Sequence, residues 1–227
     1  MNKGLLLPLL LPALNKNSYM NPTGKRFMRQ ALALGLLPLA QACTNLLVTP
    51  GASNTGVALL GDNDDSARRL GAVTHFAAAK HKAGDMREVF DFDTGVKLGE
   101  IPQPAQTYNV MANANEYGVT IGETTHGGLT ELTLKEPNIM DYGSLILTTL
   151  QRSKTAREAV ACMANLTSLY GYASSGEGFS ITDGQESWYM EVIGKGAFGT
   201  GMVWVALRVP DGYVVANANQ GGIAAYE

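Results

Sequence analysis

Short apolar runs separated by turn signals bracket a single helical stretch, and this ordering narrows what the chain can fold into. Residues 44–49 and 57–60 read as a strand and its return across the turn-rich segment 50–56. Residues 73–77 and 86–91 predict further strands, and 108–114 with 118–125 predict a hairpin turning at Asn115-Glu116-Tyr117-Gly118. Two helices follow. The first covers the moderately apolar run 141–151. In the second, Thr155 and Glu158 match a capping box, Ala156, Ala159, Val160 and Met163 recur at helical spacing, and Gly171 is the stop. Strand-like runs at 179–182, 187–193, 202–209 and 213–219 close the sequence, joined pairwise by Asp183-Gly184 and Asp211-Gly212. The run 202–209 is nearly all apolar, which predicts a strand buried on both faces. Strands, two helices and again strands predict antiparallel sheets covered by helices: an α+β sandwich with αββα four-layer order, not a parallel βαβ fold.

The composition supplies a core for such a fold. Of 227 residues, 45% are hydrophobic and 16% charged, which excludes a disordered chain. Net charge is −3 with no Lys/Arg block, so nucleic acid is not an expected partner. Two cysteines make neither a disulfide scaffold nor a zinc cluster. His75, His81 and His126 lack HExxH or paired-ligand spacing, and Asp62, Asp64 and Asp65 lack the spacing and bidentate Glu of a calcium loop. No P-loop or dinucleotide fingerprint is present, so neither a metal nor an organic cofactor is expected.

The N-terminal region bears on chemistry. Residues 5–14 are apolar but broken by Pro8 and Pro12, and too short for a span of about 20 residues. Lys25, Arg26 and Arg29 then precede the apolar run 31–40, and Ala40-Gln41-Ala42 reads as a cleavage signal. This predicts a leader over 1–42, removed from an exported (periplasmic or secreted) protein, with Met20 and Met28 as alternative starts and the folded domain at 43–227. Cleavage after Ala42 makes Cys43 the first residue, which allows two chemistries. A lipoprotein cysteine is acylated, and only then does the protein meet a membrane. In an N-terminal nucleophile, the thiol attacks an amide while its own α-amine, of pKa about 7.7–8.0, is the general base. Ala40 and Gln41 make a poor lipobox, and the strand at Thr44 begins without a tether.

Alternation marks further candidates. Val119, Ile121, Glu123 and Thr125 share a strand face, where Glu123 is either a site carboxylate or a solvated edge residue. Tyr213, Val215, Asn217 and Asn219 share another, and the two amides there need partners or a ligand. Cys162 lies within the second helix, as an inert core residue would.

Cys43-Thr44-Asn45-Leu46-Leu47-Val48, Gly61-Asp62-Asn63-Asp64-Asp65, Asn115-Glu116-Tyr117-Gly118, Ile121-Gly122-Glu123-Thr124-Thr125 and the motifs at 205–208, 210–213 and 217–220 carry a resemblance. In this order they resemble the N-terminal-cysteine dipeptidases, N-terminal nucleophile hydrolases related to choloylglycine hydrolase and penicillin V acylase. The resemblance runs from residue 43 to the end and implies the αββα fold. It implies Cys43 as nucleophile, Asp65 of the G-x-N-x-D turn as anchor for its amine, and Asn219 as the amide steadying the tetrahedral intermediate, with Asn217 as alternative. Thr125 falls where amidase relatives place another oxyanion asparagine. Asp62 stands where choloylglycine-type relatives have arginine, so Asp62, Glu123, Thr125 and Asn217 become candidates for binding substrate, while Asp64 fills the variable position of the turn. As the resemblance implies, family members run to roughly twice this length, which leaves a C-terminal truncation open. The expectation is an exported, self-processing cysteine-type dipeptidase that hydrolyses small peptides through an acyl-enzyme on Cys43, with homo-oligomer formation open. The alternatives are an amidase or acylase acting on N-acyl amides, and a lipid-anchored lipoprotein.

Overall fold

A computed structural model of the chain describes residues 43–66, 71–133 and 136–223; the leader expected at 1–42 lies outside the described residues. Strand β1 (Thr44–Val48) starts directly after Cys43 and returns as β2 (Leu59–Asn63), with Thr44 opposite Asn63. Short strands follow: β3 (His75–Phe76), β4 (Ala79–Lys80), the hairpin β5 (Met86–Phe90) and β6 (Lys97–Pro102), then β7 (Gln106–Thr107), β8 (Val110–Met111) and β9 (Ala114–Asn115). They lead into the long strand β10 (Thr120–Gly127) and the helices α1 (Tyr142–Leu150) and α2 (Ala156–Tyr170). The chain finishes through β11 (Gly176–Thr182), β12 (Ser187–Gly194), β13 (Met202–Arg208) and β14 (Val214–Asn217).

Antiparallel pairing arranges these strands mainly into two sheets. One has seven strands in the order β13-β12-β11-β10-β9-β8-β3; the other has three, β14-β1-β2. Both helices pack on the seven-stranded sheet, and the three-stranded sheet lies over β10 and β11. This is the expected α+β sandwich. The described residues form three layers (helices, seven-stranded sheet, three-stranded sheet), and Leu46, Leu59 and Val214 of the three-stranded sheet stay exposed. No described helix is long and apolar enough to cross a membrane.

The apolar core lies between helices and sheet, where Val119, Ile121, Phe179, Ile181 and Met190 meet Leu145, Leu150, Ala159 and Met163. Burial of such surface is worth roughly 25 cal/mol per Å² and drives the layering. Local signals set the helix ends. Asp141 accepts the Ser144 N–H at 2.8 Å, and Thr155 Oγ1 accepts the Glu158 N–H at 3.1 Å. Gly171 closes α2 at φ 74°, and any Cβ there would lie 2.0 Å from Asn138 Oδ1.

Two expectations need correction. The hairpin expected over 108–125 is a three-stranded meander, because a tight turn at Ala112 (φ 49°) separates β8 from β9. The Asn115 turn stands where expected, and its side chain is fully used. Its Oδ1 accepts the Tyr117 and Val119 N–H groups, and its Nδ2 donates to the carbonyls of Leu150 and Ser153, tying the sheet to the end of α1. The apolar run 202–209 is not buried on both faces. It forms the edge strand β13, with Val203 52% and Trp204 45% exposed, because the narrower three-stranded sheet lies over β10 and β11 instead.

Candidate active site

Alternation along the start of the domain turns Cys43, Asn45 and Leu47 inward, and all three are buried. Asn45 lies opposite Asp62 on β2 and Asn217 on β14, so a row of polar side chains crosses the three-stranded sheet. Glycines on the facing sheet make room for it. A Cβ on Gly122 would lie 2.6 Å from Asn45 Oδ1 and 3.2 Å from Asp62 Cγ; one on Gly178 would lie 2.8 Å from both Asn217 Nδ2 and the Tyr189 hydroxyl. Elsewhere between the sheets, Leu47, Tyr189 and Val209 form a small apolar cluster.

Cys43 is 8% exposed, and its Sγ lies 3.4 Å from Asp64 Oδ1. Burial pushes its thiol pKa up, the Asp65 backbone N–H pulls it down, and the charges of Glu123 and Asp64 push it up again. The resting group is therefore a protonated thiol donating to Asp64. The donor atoms of Cys43, Asp64 and Glu123 all lie within 4.8 Å of one another. They could hold a divalent cation, which would occupy the sulfur lone pair that nucleophilic attack requires.

Glu123 is 6% exposed on β10, a central strand, so the solvated-edge reading of this residue is excluded. Its carboxyl is hydrogen-bonded to that of Glu177, which also accepts from the Thr125 hydroxyl at 3.0 Å. Burial pushes both acids up, and the pair holds a proton between them at neutral pH. Asp62 is raised to about 6, first by burial and then by the charge of Asp64; the Asn113 amide and the Glu123 N–H act in the opposite direction.

These acids open onto a cavity of about 660 Å³. Asp62, Asp64 and Glu123 line it together with Phe76, Phe90, Phe92 and Tyr142. Tyr142 donates to Asp93 at 3.1 Å, and its ring meets Phe92 edge-on at 5.5 Å. The cavity thus joins a carboxylate wall to aromatic surface beside a thiol.

The remaining candidates have distinct placements. The Asp65 carboxylate accepts from Asn63 Nδ2 at 3.0 Å, while its backbone N–H faces the sulfur. Asn217 Nδ2 donates to Thr124 Oγ1 at 3.0 Å and to the Tyr189 hydroxyl at 3.1 Å. Asn219, at φ 44°, donates to the Thr125 carbonyl at 2.6 Å. Cys162 is half-buried in α2, where burial raises its thiol pKa. Sequence reasoning assigned no part to Asn45, Asp64, Glu177 or Tyr142. Only Asn45 carried a usable signal, since it stands two residues after Cys43 and therefore on the same strand face.

The sequence matches peptidase family C69 over residues 42–227. A "Probable dipeptidase" of Latilactobacillus sakei is 26% identical over 196 residues, covering 79% of this chain and 39% of that protein. A "Probable dipeptidase" of Salmonella dublin is 26% identical over 223 residues, covering 89% and 48% respectively. A "Dipeptidase" of Bifidobacterium longum is 26% identical over 215 residues, covering 82% and 38%. The chain spans about two fifths to one half of the length of these relatives. With a match that starts one residue before Cys43 and runs through both sheets and both helices, the chain belongs to peptidase family C69.

Proposed function

We propose that this chain carries the nucleophile and the amine-binding wall of an exported cysteine dipeptidase. Once the leader is removed, the α-amine of Cys43 takes the thiol proton and the sulfur attacks the peptide carbonyl. The proton then passes to the departing amine, and water hydrolyses the thioester. Asp65, at the same turn, orients the α-amine. Asn219 suits the oxyanion better than Asn217: its amide has one N–H beyond the bond to Thr125, whereas both N–H groups of Asn217 already have acceptors.

One observation carries the choice of substrate: the cavity wall beside the sulfur is made of carboxylates, Asp62, Asp64 and Glu123. Clustered acids repel one another and raise one another's pKa; a substrate ammonium placed among them removes that repulsion. An N-acyl amide has no such charge, so the wall favours a peptide with a free amino terminus over the acylase reading. Phe76, Phe90, Phe92 and Tyr142 provide surface for its side chain.

The test compares an unmodified dipeptide with its N-acetyl derivative on protein whose N-terminus has been sequenced. Protein beginning at Cys43 should hydrolyse the free dipeptide and leave the acetylated one intact. Chain still carrying Ala42 should hydrolyse neither, because the Cys43 nitrogen is then an amide without a basic lone pair. Preference for the acetylated substrate, or full turnover by the uncleaved chain, would overturn the reading.

A further inference from the structure

Arg87 lines the same cavity, and its electrostatic surroundings are incomplete. It stands on β5, half-buried, and donates to the side-chain carbonyl of Gln151. That neutral acceptor engages one of five guanidinium donors. Among the described residues no carboxylate forms an ion pair with it. The acids sharing its part of the wall are engaged elsewhere: Glu88 takes Lys97 at 2.8 Å, and Asp91 accepts the N–H and hydroxyl of Thr94 at 2.8 and 2.6 Å. Arg152, whose guanidinium donates to the Pro102 carbonyl at 2.9 Å, adds a second positive charge, and it too forms no ion pair with a described carboxylate. Burial and this neighbour both pull the Arg87 pKa down. Two like charges near each other, partly removed from water and paired with no described carboxylate, repel one another, and an anion that binds in the cavity relieves that cost.

We infer that Arg87 forms an anion subsite that reads a carboxylate of the peptide substrate, so that one cavity holds an ammonium at the Asp62–Glu123 wall and a carboxylate at the Arg87 wall. The inference rests on the dipeptidase reading. A guanidinium suits the task because its planar fork matches a carboxylate with paired hydrogen bonds. The carboxylate has two possible sources, the substrate's C-terminus or an acidic side chain, and substrates can separate them.

Alanyl-alanine compared with alanyl-alaninamide tests the C-terminal source, and glutamyl-alaninamide compared with glutaminyl-alaninamide tests the side chain. In one of the two pairs the wild type should prefer the acid by about tenfold or more in kcat/KM, expressed mainly in KM. In Arg87→Gln that ratio should fall towards one, and Arg87→Lys should keep part of it. Equal rates within both pairs for the wild type would overturn the subsite while leaving the dipeptidase reading in place, whether or not the variants fold. A folded Arg87→Gln that keeps the wild-type ratio would overturn it as well. Failure of the wild type on all four substrates would overturn the dipeptidase reading, and the subsite with it.

Discussion

Toward the helices, the seven-stranded sheet presents Val119, Ile121, Phe179, Ile181 and Met190; toward the three-stranded sheet, it presents Gly122 and Gly178 beneath Asp62, Asn45 and Asn217. The first interface is mainly apolar, though α1 buries Thr148 and Thr149 as well, and it closes the core. The second contains Asn45, fully buried with neither amide atom hydrogen-bonded, and Asn217, whose Oδ1 has no partner. A buried polar atom left unpaired costs about 1–3 kcal/mol, so this interface subtracts from stability that the other supplies. One sheet thus carries most of the apolar core on one face and the polar row of Asn45, Asp62 and Asn217 on the other.

The largest effect expected is on Cys43. Cys43→Ala should lower kcat by more than about 10³-fold while circular dichroism and the unfolding midpoint stay near wild type. Cys162→Ala should retain turnover. If the two cysteines behaved the other way round, the chemistry would belong to the helical interface and the contrast between the faces would fail. Next comes the core itself. Met163→Ala on α2 should cost about 2–5 kcal/mol in denaturant unfolding, with kcat/KM unchanged at temperatures where the variant is folded. A loss of rate without a loss of stability would show that the helical face takes part in the reaction.

The pH dependence of KM sharpens the comparison further. Burial and the charge of Asp64 raise Asp62 to about 6, and the proposed function assigns the substrate ammonium to its ionised form. Lowering the pH from 7 to 5 should therefore raise KM by about tenfold, since each pH unit below the pKa reduces the charged fraction about tenfold. Asp62→Asn should have a high KM at both values and lose that inflection; retention of the inflection would assign it to another acid. The smallest effect concerns Asn45. Asn45→Leu removes two unpaired polar atoms at similar volume, so unfolding free energy should rise by about 1 kcal/mol while turnover falls. Unchanged turnover in a stabilised variant would make the polar row a packing feature only.

Much of the scaffold was legible locally. The helix cap at Thr155, the Asn115 turn and the β1–β2 return depend on neighbouring residues, whose geometry is set by short-range hydrogen bonds. The β13 edge was not legible, because apolar content states what a strand can bury and not what covers it. Glu123 was equally ambiguous: alternation assigns its face, while its burial depends on β11 beside it and on Cys43 and Asp64 packed against it.

The sequence by itself determined that a strand begins directly after Cys43, and that Asn45 shares the face of the cysteine, because strand alternation is a property of the backbone. Only the tertiary structure decided which acid meets the sulfur. The β2 ladder ends at Asn63, so beyond it no pairing dictates which way Asp64 and Asp65 point. The fold places the Asp64 carboxylate and the Asp65 N–H against Cys43. The same holds for Arg87, which forms no ion pair with a described carboxylate, a relation among residues far apart in the chain. Charge balance in a cavity is set by distance through space, and a sequence records only distance along the chain.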